Sequence, residues 1–190
     1  MIYQAAIDKD FYVAEPTGLA RLRSGDPAAL GAVVARYQHR LYRYFVRLVR
    51  DPATADDLFQ QTWLQVVRHI GRYDPTRGFD TWLFAIAHHA AMDLLRRRPG
   101  ESLDECESEL ASDAPDALSA VLAGERAAIL AAAMGTLPAL YREALTLRFE
   151  EGMKLEEIAE VTRAPLSTVK SRVQRGLEAL RHKVSREGIL

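Results

Sequence analysis

The stretch Ala164–Gly176, APLSTVKSRVQRG, decides how the C-terminal part of the chain is interpreted. At about 100° per residue, a helix through this stretch has one apolar stripe that predicts packing on a core: Val169, Val173, Leu177 and Leu180. The opposite face has almost no carboxylate before Glu178 and carries short or planar polar groups, flanked by cations. A solvated surface is the ordinary alternative. Hydroxyl, amide and cationic groups without acids instead favour a helix that approaches base edges and phosphates.

The residues around this stretch predict a helix-turn-helix. Residues 154–161, KLEEIAEV, have helical periodicity, and a turn follows at Thr162–Ala164 before the second helix. Upstream, residues 137–152, LPALYREALTLRFEEG, predict a helix that begins at Pro138 and stops at Gly152. Local charge agrees with DNA binding, because residues 163–186 carry seven Lys or Arg and one acid.

The N-terminal part predicts three further long helices. Two open on Asp-Pro, at Asp26 and Asp51, where the Asp is predicted as N-cap and the Pro as first helical residue. In the second of these, five apolar residues recur at helical spacing: Leu58, Trp63, Leu64, Val67 and Ile70. After a Pro/Gly turn at residues 74–78, residues 79–98, FDTWLFAIAHHAAMDLLRRR, predict a helix that ends in three arginines.

An acidic segment divides the 190-residue chain. Residues 101–116 contain seven acids and no Lys or Arg, so the formal net charge of −1 hides two net basic flanks. Together with the absence of period-two alternation, this predicts an all-α protein of two small helical domains joined by a flexible acidic linker. The expected divisions are an N-terminal extension (1–16), a first domain (17–98), the linker (99–118) and a helix-turn-helix domain (119–190).

Composition excludes several classes of protein. No apolar run reaches the length of a membrane span, and the N-terminus lacks the order of a signal peptide, so a cytoplasmic protein without membrane insertion is expected. The possible metal ligands His39, His88, His89 and Cys106 match no zinc spacing, and the acids beside Cys106 make a redox role unfavourable. Without a nucleophile–base pair or a phosphate-binding loop, we expect no metal, no cofactor and no enzyme activity.

Three segments resemble, in order, the bacterial RNA polymerase sigma factors of the extracytoplasmic-function (ECF) group. Residues 137–181 resemble their region 4, residues 56–70 their region 2.2, and residues 79–98 their regions 2.3–2.4. The resemblance implies a subunit that binds core RNA polymerase, directs promoter-specific initiation at −35 and −10 elements, and assists melting. It also implies an anti-sigma partner, and a linker that passes through the polymerase toward the RNA exit path.

The −35 element is expected to contact the outer face of the last helix. The helix wheel places Ser171, Gln174 and Arg175 at its centre for base reading, and the resemblance adds Lys170. Arg172, Ser167 and Thr168 are expected to contact phosphate.

The resemblance assigns two more surfaces. Polymerase docking is expected at Asp57, Gln60, Gln61 and Leu64, where the alternative is a solvated helix edge. The −10 element and melting are expected to involve Tyr73, Phe79, His88, His89, Arg96 and Arg97. Exposed rings could stack unpaired bases, although Tyr73 fits a core position equally well and Trp82 is expected in the core.

Three residues depart from the family pattern. Ser167 stands where Gly is usual, Gln61 where Glu is usual, and His89 where Asn is usual. The change at His89 alters the expected base preference at the −10 element, and that at Gln61 removes a charge from the docking surface.

Two rival interpretations remain open at this level. The same C-terminal motif resembles the DNA-binding domain of LuxR-type regulators, whose other half senses a ligand or dimerises. Against this, the N-terminal part is basic and aromatic and lacks a phosphoacceptor pattern. A polymerase-binding protein that does not read DNA would leave the residues from Ala164 to Arg186 unexplained.

Overall fold

The computed structural model describes residues 16–97 and 130–186, here called the N-terminal and C-terminal halves. Every regular element in these two ranges is helical, as expected. The predicted linker, residues 99–118, and residues 1–15 of the predicted extension lie outside the described residues. The N-terminal half contains α1 (Pro16–Arg23), α2 (Pro27–Val49), α3 (Pro52–His69), a 3-10 turn (Ile70–Arg72) and α4 (Phe79–Leu95).

The two predicted N-caps are confirmed. The Asp26 carboxylate accepts a hydrogen bond from the Ala28 amide at the start of α2. The Asp51 carboxylate accepts one from the Thr54 amide at the start of α3. Each satisfies an amide that a helix N-terminus otherwise leaves unpaired, which is why these two Asp-Pro pairs set the beginnings of both helices.

The C-terminal half is built on a helix that changes its winding. Residues 130–135 are helical, and three labelled helices follow: α5 (Ala139–Leu145), α6 (Leu155–Thr162) and α7 (Leu166–Arg186). The single helix expected over 138–152 was wrong in detail, because α5 continues as a π-helix over Thr146–Glu150. At its end, the neighbouring side chains of Glu150 and Glu151 both form ion pairs with arginines of α2.

The two halves share one hydrophobic core. Its most deeply buried large side chains come from α2 and α4, including Tyr44 and Phe84, but α6 adds Ile158 and Val161 and α7 adds Val169. A second, smaller cluster lies within the C-terminal half, where Tyr141 and Leu145 of α5 pack against α7. Packing between the two predicted domains could not be expected from the sequence, since charge and composition mark only where the domains divide.

Leu177, expected on the buried stripe of the last helix, lies at the surface, and so do Leu64 and Val67 of α3. Leu64 is 57% exposed and Val67 49%, because the buried stripe of α3 runs through residues such as Leu58, Trp63 and Val66. Leu177 of α7 is 40% exposed, because the buried stripe of this helix passes through Gly176 instead.

Candidate nucleic-acid interface and docking surface

The helix-turn-helix forms where the sequence predicts it. A left-handed residue, Arg163 (φ 51°), ends α6 and turns the chain into α7. Val169 lies on the inner side of α7 and is fully buried. Gly176 allows α7 to lie close to α5, because a Cβ atom at this position would be 3.1 Å from Cγ of Leu145. These contacts fix α7 on the C-terminal half and determine which of its faces remains accessible.

The seven residues expected to contact the −35 element all lie on α7, and none is fully buried. Exposed positions are Ser167, Lys170 and Gln174; partly buried positions are Thr168, Ser171, Arg172 and Arg175. The Ser171 hydroxyl donates to the Thr168 carbonyl (2.9 Å), and the Gln174 amide donates to the Glu178 carboxylate (3.1 Å). Both groups are therefore oriented by α7 itself.

The four residues expected to contact polymerase lie along α3, and all are exposed: Asp57, Gln60, Gln61 and Leu64. The structure adds Val67, whose side chain is also exposed on α3. Its spacing of three from Leu64 would have suggested the same face. Two exposed aliphatic side chains one helical turn apart make this surface suited to another protein rather than to solvent.

A groove of about 920 Å³ lies between α3, α4 and α6. Its apolar lining comes mainly from Leu64, Trp82, Ile86 and Leu94. Its polar lining includes four arginines and two histidines: Arg68, Arg77, Arg97, Arg163, His69 and His89. The groove also contains Asp93 and Glu160, so cations are in excess along its walls. A partly apolar cleft with a positive rim can accept an anionic chain with flat or apolar groups.

Two aromatic residues expected at the melting site are part of the core. Tyr73 and Phe79 are each 4% exposed, and the Tyr73 hydroxyl donates to the Arg77 carbonyl (2.6 Å). Neither ring presents a face to a base in this arrangement. The accessible ring is Trp82, which is half-buried beside the groove, with its centroid 5.2 Å from that of Tyr73. Trp82 packs against the core, as expected, but part of its ring remains accessible from the groove.

The adjacent histidines point in different directions. His88 is buried, and its Nδ1 donates to the Glu143 carboxylate of α5 (2.7 Å). His89 lines the groove, and its Nδ1 donates to the Ala85 carbonyl (2.6 Å). The −10 element was also expected to contact two arginines. Both are exposed, Arg96 and Arg97, and Arg97 also lines the groove. Only His89 and Arg97 of the −10 set therefore meet there.

Within the described ranges, no group of three His, Cys, Asp or Glu side chains could hold a metal ion. The helices of these ranges also include none that is long and apolar enough to cross a membrane.

Comparison with known families decides what this arrangement is. Residues 33–99 match the model of sigma-70 region 2, and residues 127–180 match that of sigma-70 region 4. The chain belongs to the sigma-70 family. It is a sigma factor of the ECF group, a promoter-recognising protein that directs transcription initiation. The two matches correspond to the N-terminal half, which forms the α3–α4 wall of the groove, and to the half that carries the helix-turn-helix.

Curated relatives support the same assignment over most of the chain. ECF RNA polymerase sigma factor SigK of Mycobacterium sp. (strain KMS) is 34% identical over 169 residues, covering 86% of this chain and 87% of the relative. RNA polymerase sigma factor CarQ of Myxococcus xanthus is 35% identical over 166 residues, covering 86% of this chain and 93% of the relative.

Solved structures share the fold. CnrH, in complex with the cytosolic domain of CnrY, has a TM-score of 0.67 at 25% identity, covering 90% of this chain and 96% of the other. The sigma factor RpoE of Bartonella quintana, solved with the anti-sigma factor NepR, has a TM-score of 0.63 at 22% identity, covering 82% and 96%. The second likeness bears on the fold alone.

Proposed function

We propose that this sigma factor reads the −35 element through the outer face of α7. The observation that supports this most directly is the accessible, acid-poor surface of α7 in a helix-turn-helix that matches region 4. The first helix, α6, packs on α4, and the second presents hydroxyl, amide and cationic groups outward. Gln174 and Arg175 carry the groups suited to base edges in the major groove. Ser167, Thr168 and Arg172 lie where they can contact phosphate.

The −10 element is proposed to bind along the wall of the groove that α3 and α4 of the N-terminal half form. Trp82 supplies a ring for stacking, and His89 and Arg97 supply polar and cationic contacts. Arg96 lies exposed at the end of the same helix and can contact phosphate. Tyr73 and Phe79 would support the ring of Trp82 from beneath rather than stack on bases themselves. His88 becomes available to DNA only if α5 moves away from it.

Core RNA polymerase is proposed to dock on α3, at Asp57, Gln60, Gln61 and Leu64, with Val67 extending the apolar part. This makes the protein a non-catalytic initiation subunit that acts in the cytoplasm, where the polymerase is. An anti-sigma partner is part of the same proposal. It is supported by the structural relative CnrH, which was solved in complex with the cytosolic domain of a second protein, CnrY.

Co-elution with core polymerase tests the docking surface. The double variant Asp57→Arg, Leu64→Ala changes two exposed side chains, so it should abolish association while leaving the helical circular dichroism intact. A matched control is Asp56→Arg with Leu177→Ala, which changes an equally exposed acid of α3 and an exposed leucine outside the proposed surface. Normal co-elution of the first double variant would remove this surface from the proposal. A wild-type chain that never co-elutes would favour the independent helix-turn-helix regulator instead.

A further inference from the structure

At least six polar contacts join the described parts of the N-terminal and C-terminal halves. Four are ion pairs: Arg40–Glu151 (2.8 Å), Arg47–Glu150 (3.1 Å), Arg77–Glu160 (2.8 Å) and His88–Glu143 (2.7 Å), the last ionic only when His88 is protonated. The other two are hydrogen bonds, Tyr44 to Glu143 (2.5 Å) and Arg142 to the Leu48 carbonyl (2.7 Å). Five of these contacts involve residues 142–151, so α5 and its π-helical extension carry most of the polar interface.

Glu143 is deeply buried and accepts two of these contacts. Its side chain is 1% exposed, and one carboxylate oxygen accepts hydrogen bonds from both the Tyr44 hydroxyl and the His88 Nδ1. Both donors belong to the N-terminal half, on α2 and α4. A buried carboxylate that loses its donors is costly, because nothing replaces the water it gave up on burial.

Arg142 and Glu151 extend the same interface on either side of Glu143. Arg142 is 3% exposed and donates to the Leu48 carbonyl, one of the carbonyls that the C-terminal end of α2 leaves without a helical partner. Glu151 is 1% exposed at its side chain and pairs with Arg40, which also binds Asp80 of α4. The end of α2 is thus held by Arg142 of the C-terminal half, and Glu151 is linked to the start of α4 through Arg40.

This closed arrangement conflicts with simultaneous contact to two promoter elements. Elements centred near −35 and −10 are about 25 base pairs apart, on the order of 85 Å at about 3.4 Å per base pair. A compact chain of this length has a radius of gyration of about 16 Å and is roughly 40 Å across. One compact body cannot span that separation. The halves must part before both elements can be bound.

We propose that Glu143, held by Tyr44 and His88, is a latch that keeps the free sigma factor in a closed form unable to bind both promoter elements. The latch rests on the proposed function, which requires both halves to reach DNA. Its chemistry suits a reversible closure. Buried ion pairs add little net stability over apolar packing, but they fix one arrangement, and water can replace them when the interface opens. Polymerase binding at α3 would then select the open form.

The experiment measures the separation of the two halves in the full chain. Donor and acceptor dyes are placed on cysteines at the exposed positions Ala53 of α3 and His182 of α7, in a Cys106→Ser background. Tyr44→Phe removes only the hydroxyl and leaves the ring packed against Phe45 and Phe84. Glu143→Gln removes the charge. Tyr42→Phe and Glu156→Gln make the same chemical changes at positions without an observed contact to the other half.

We expect high energy transfer in the free wild-type chain and low transfer in the complex with core polymerase. Loss of a hydrogen bond to a charged group should shift the closed-to-open ratio about 10- to 100-fold in Tyr44→Phe and Glu143→Gln. Apparent affinity for core polymerase should rise by the gain in open fraction, and the two controls should behave as wild type.

Two results would overturn the latch. One is energy transfer that stays high in the polymerase complex. The other is Tyr44→Phe and Glu143→Gln chains that remain as closed as their controls while their circular dichroism shows intact helices. A wild-type chain that does not bind polymerase would count against the proposed function, and the free-chain measurement would still decide on the latch.

Discussion

At the scale of single residues, the interior of this sigma factor contains hydroxyls and charges that are held by specific partners. The Tyr37 hydroxyl donates to the Asp80 carboxylate (2.5 Å), and the same carboxylate pairs with Arg40. Burial raises the pKa of Tyr37 above its ordinary value, and the charge of Asp80 raises it further. Burial and the neighbouring Glu143 likewise raise the pKa of Tyr44.

These raised pKa values predict loss of stability in alkali. Above about pH 10 the unfolded chain releases its tyrosine protons while Tyr37 and Tyr44 keep theirs, so the folded state binds more protons and stability falls as pH rises. Each such group contributes a slope of about 1.4 kcal/mol per pH unit. Urea unfolding between pH 9 and about pH 11.5 measures the slope, and Tyr44→Phe should make it shallower than Tyr42→Phe does. Equal slopes for the two variants would contradict the assignment to Tyr44.

Two arginines of α7 should have separable effects on −35 DNA. Arg175→Ala is expected to cost on the order of 1–3 kcal/mol and to relax preference at one base position. Arg172→Ala is expected to weaken all sequences alike and to lower the salt slope by about one unit. Affinity is measured for matched and single-base-changed duplexes across a salt series. If Arg175→Ala weakened every duplex equally, the outer face of α7 would not be reading bases.

Sequence alone predicted some of these residues better than others. The exposed face of α7 was predictable, because exposure follows the helical period and the acids are missing from that face. The roles of Tyr73, Phe79 and Trp82 were not, since an aromatic residue beside a turn suits both a core and a stacking surface. Burial by neighbours distant in sequence decides between the two.

At the scale of elements, the beginnings of helices were predictable and the changes within them were not. Asp26 and Asp51 are followed by Pro, and each local pair is enough to start a helix. The π-helix at Thr146–Glu150 has no such local signal. Its winding accompanies contacts that Glu150 and Glu151 make with α2, more than 100 positions away in the chain.

Two helical glycines should respond differently to alanine. A Cβ on Gly31 of α2 would meet open space, so Gly31→Ala should stabilise the protein by about 0.5–1 kcal/mol through helix propensity. A Cβ on Gly176 would come within 3.1 Å of Leu145 and 3.4 Å of Tyr141, so crowding between α7 and α5 should cancel or reverse that gain. Thermal unfolding of the two variants gives the comparison. An equal gain in stability at both positions would show that α5 shifts enough to accommodate the added methyl group without cost.

At the scale of the whole molecule, charge predicted where the chain divides but not how its parts associate. The acidic run at 101–116 was visible in composition. The contact between Tyr44 and Glu143 was not, because its partners are 99 positions apart and each is also an ordinary residue for a helix interior. Contacts between two domains produce no periodic pattern in the sequence of either domain.

Limited proteolysis should show both where the chain divides and whether its two parts stay associated. Because residues 99–118 are acidic and have little to bury, we expect cleavage there first, and we expect the two resulting fragments to remain associated through the shared core. Gel filtration after cleavage tests this, and Tyr44→Phe should make the fragments dissociate more readily. Fragments that separate at once in the wild type would mean that the interface does not hold without the covalent connection.

The groove between α3, α4 and α6 has a wall from each half: Trp82 and His89 belong to one, Glu160 and Arg163 to the other. This complete cavity exists only while the halves are together. A small molecule or peptide fitted to both walls would therefore bind one form of the protein and not the other, and would draw the population toward that form. Such a compound would hold the closed form and act as a transcription inhibitor without contacting the proposed DNA-reading face of α7, which makes the groove a target for chemical screening.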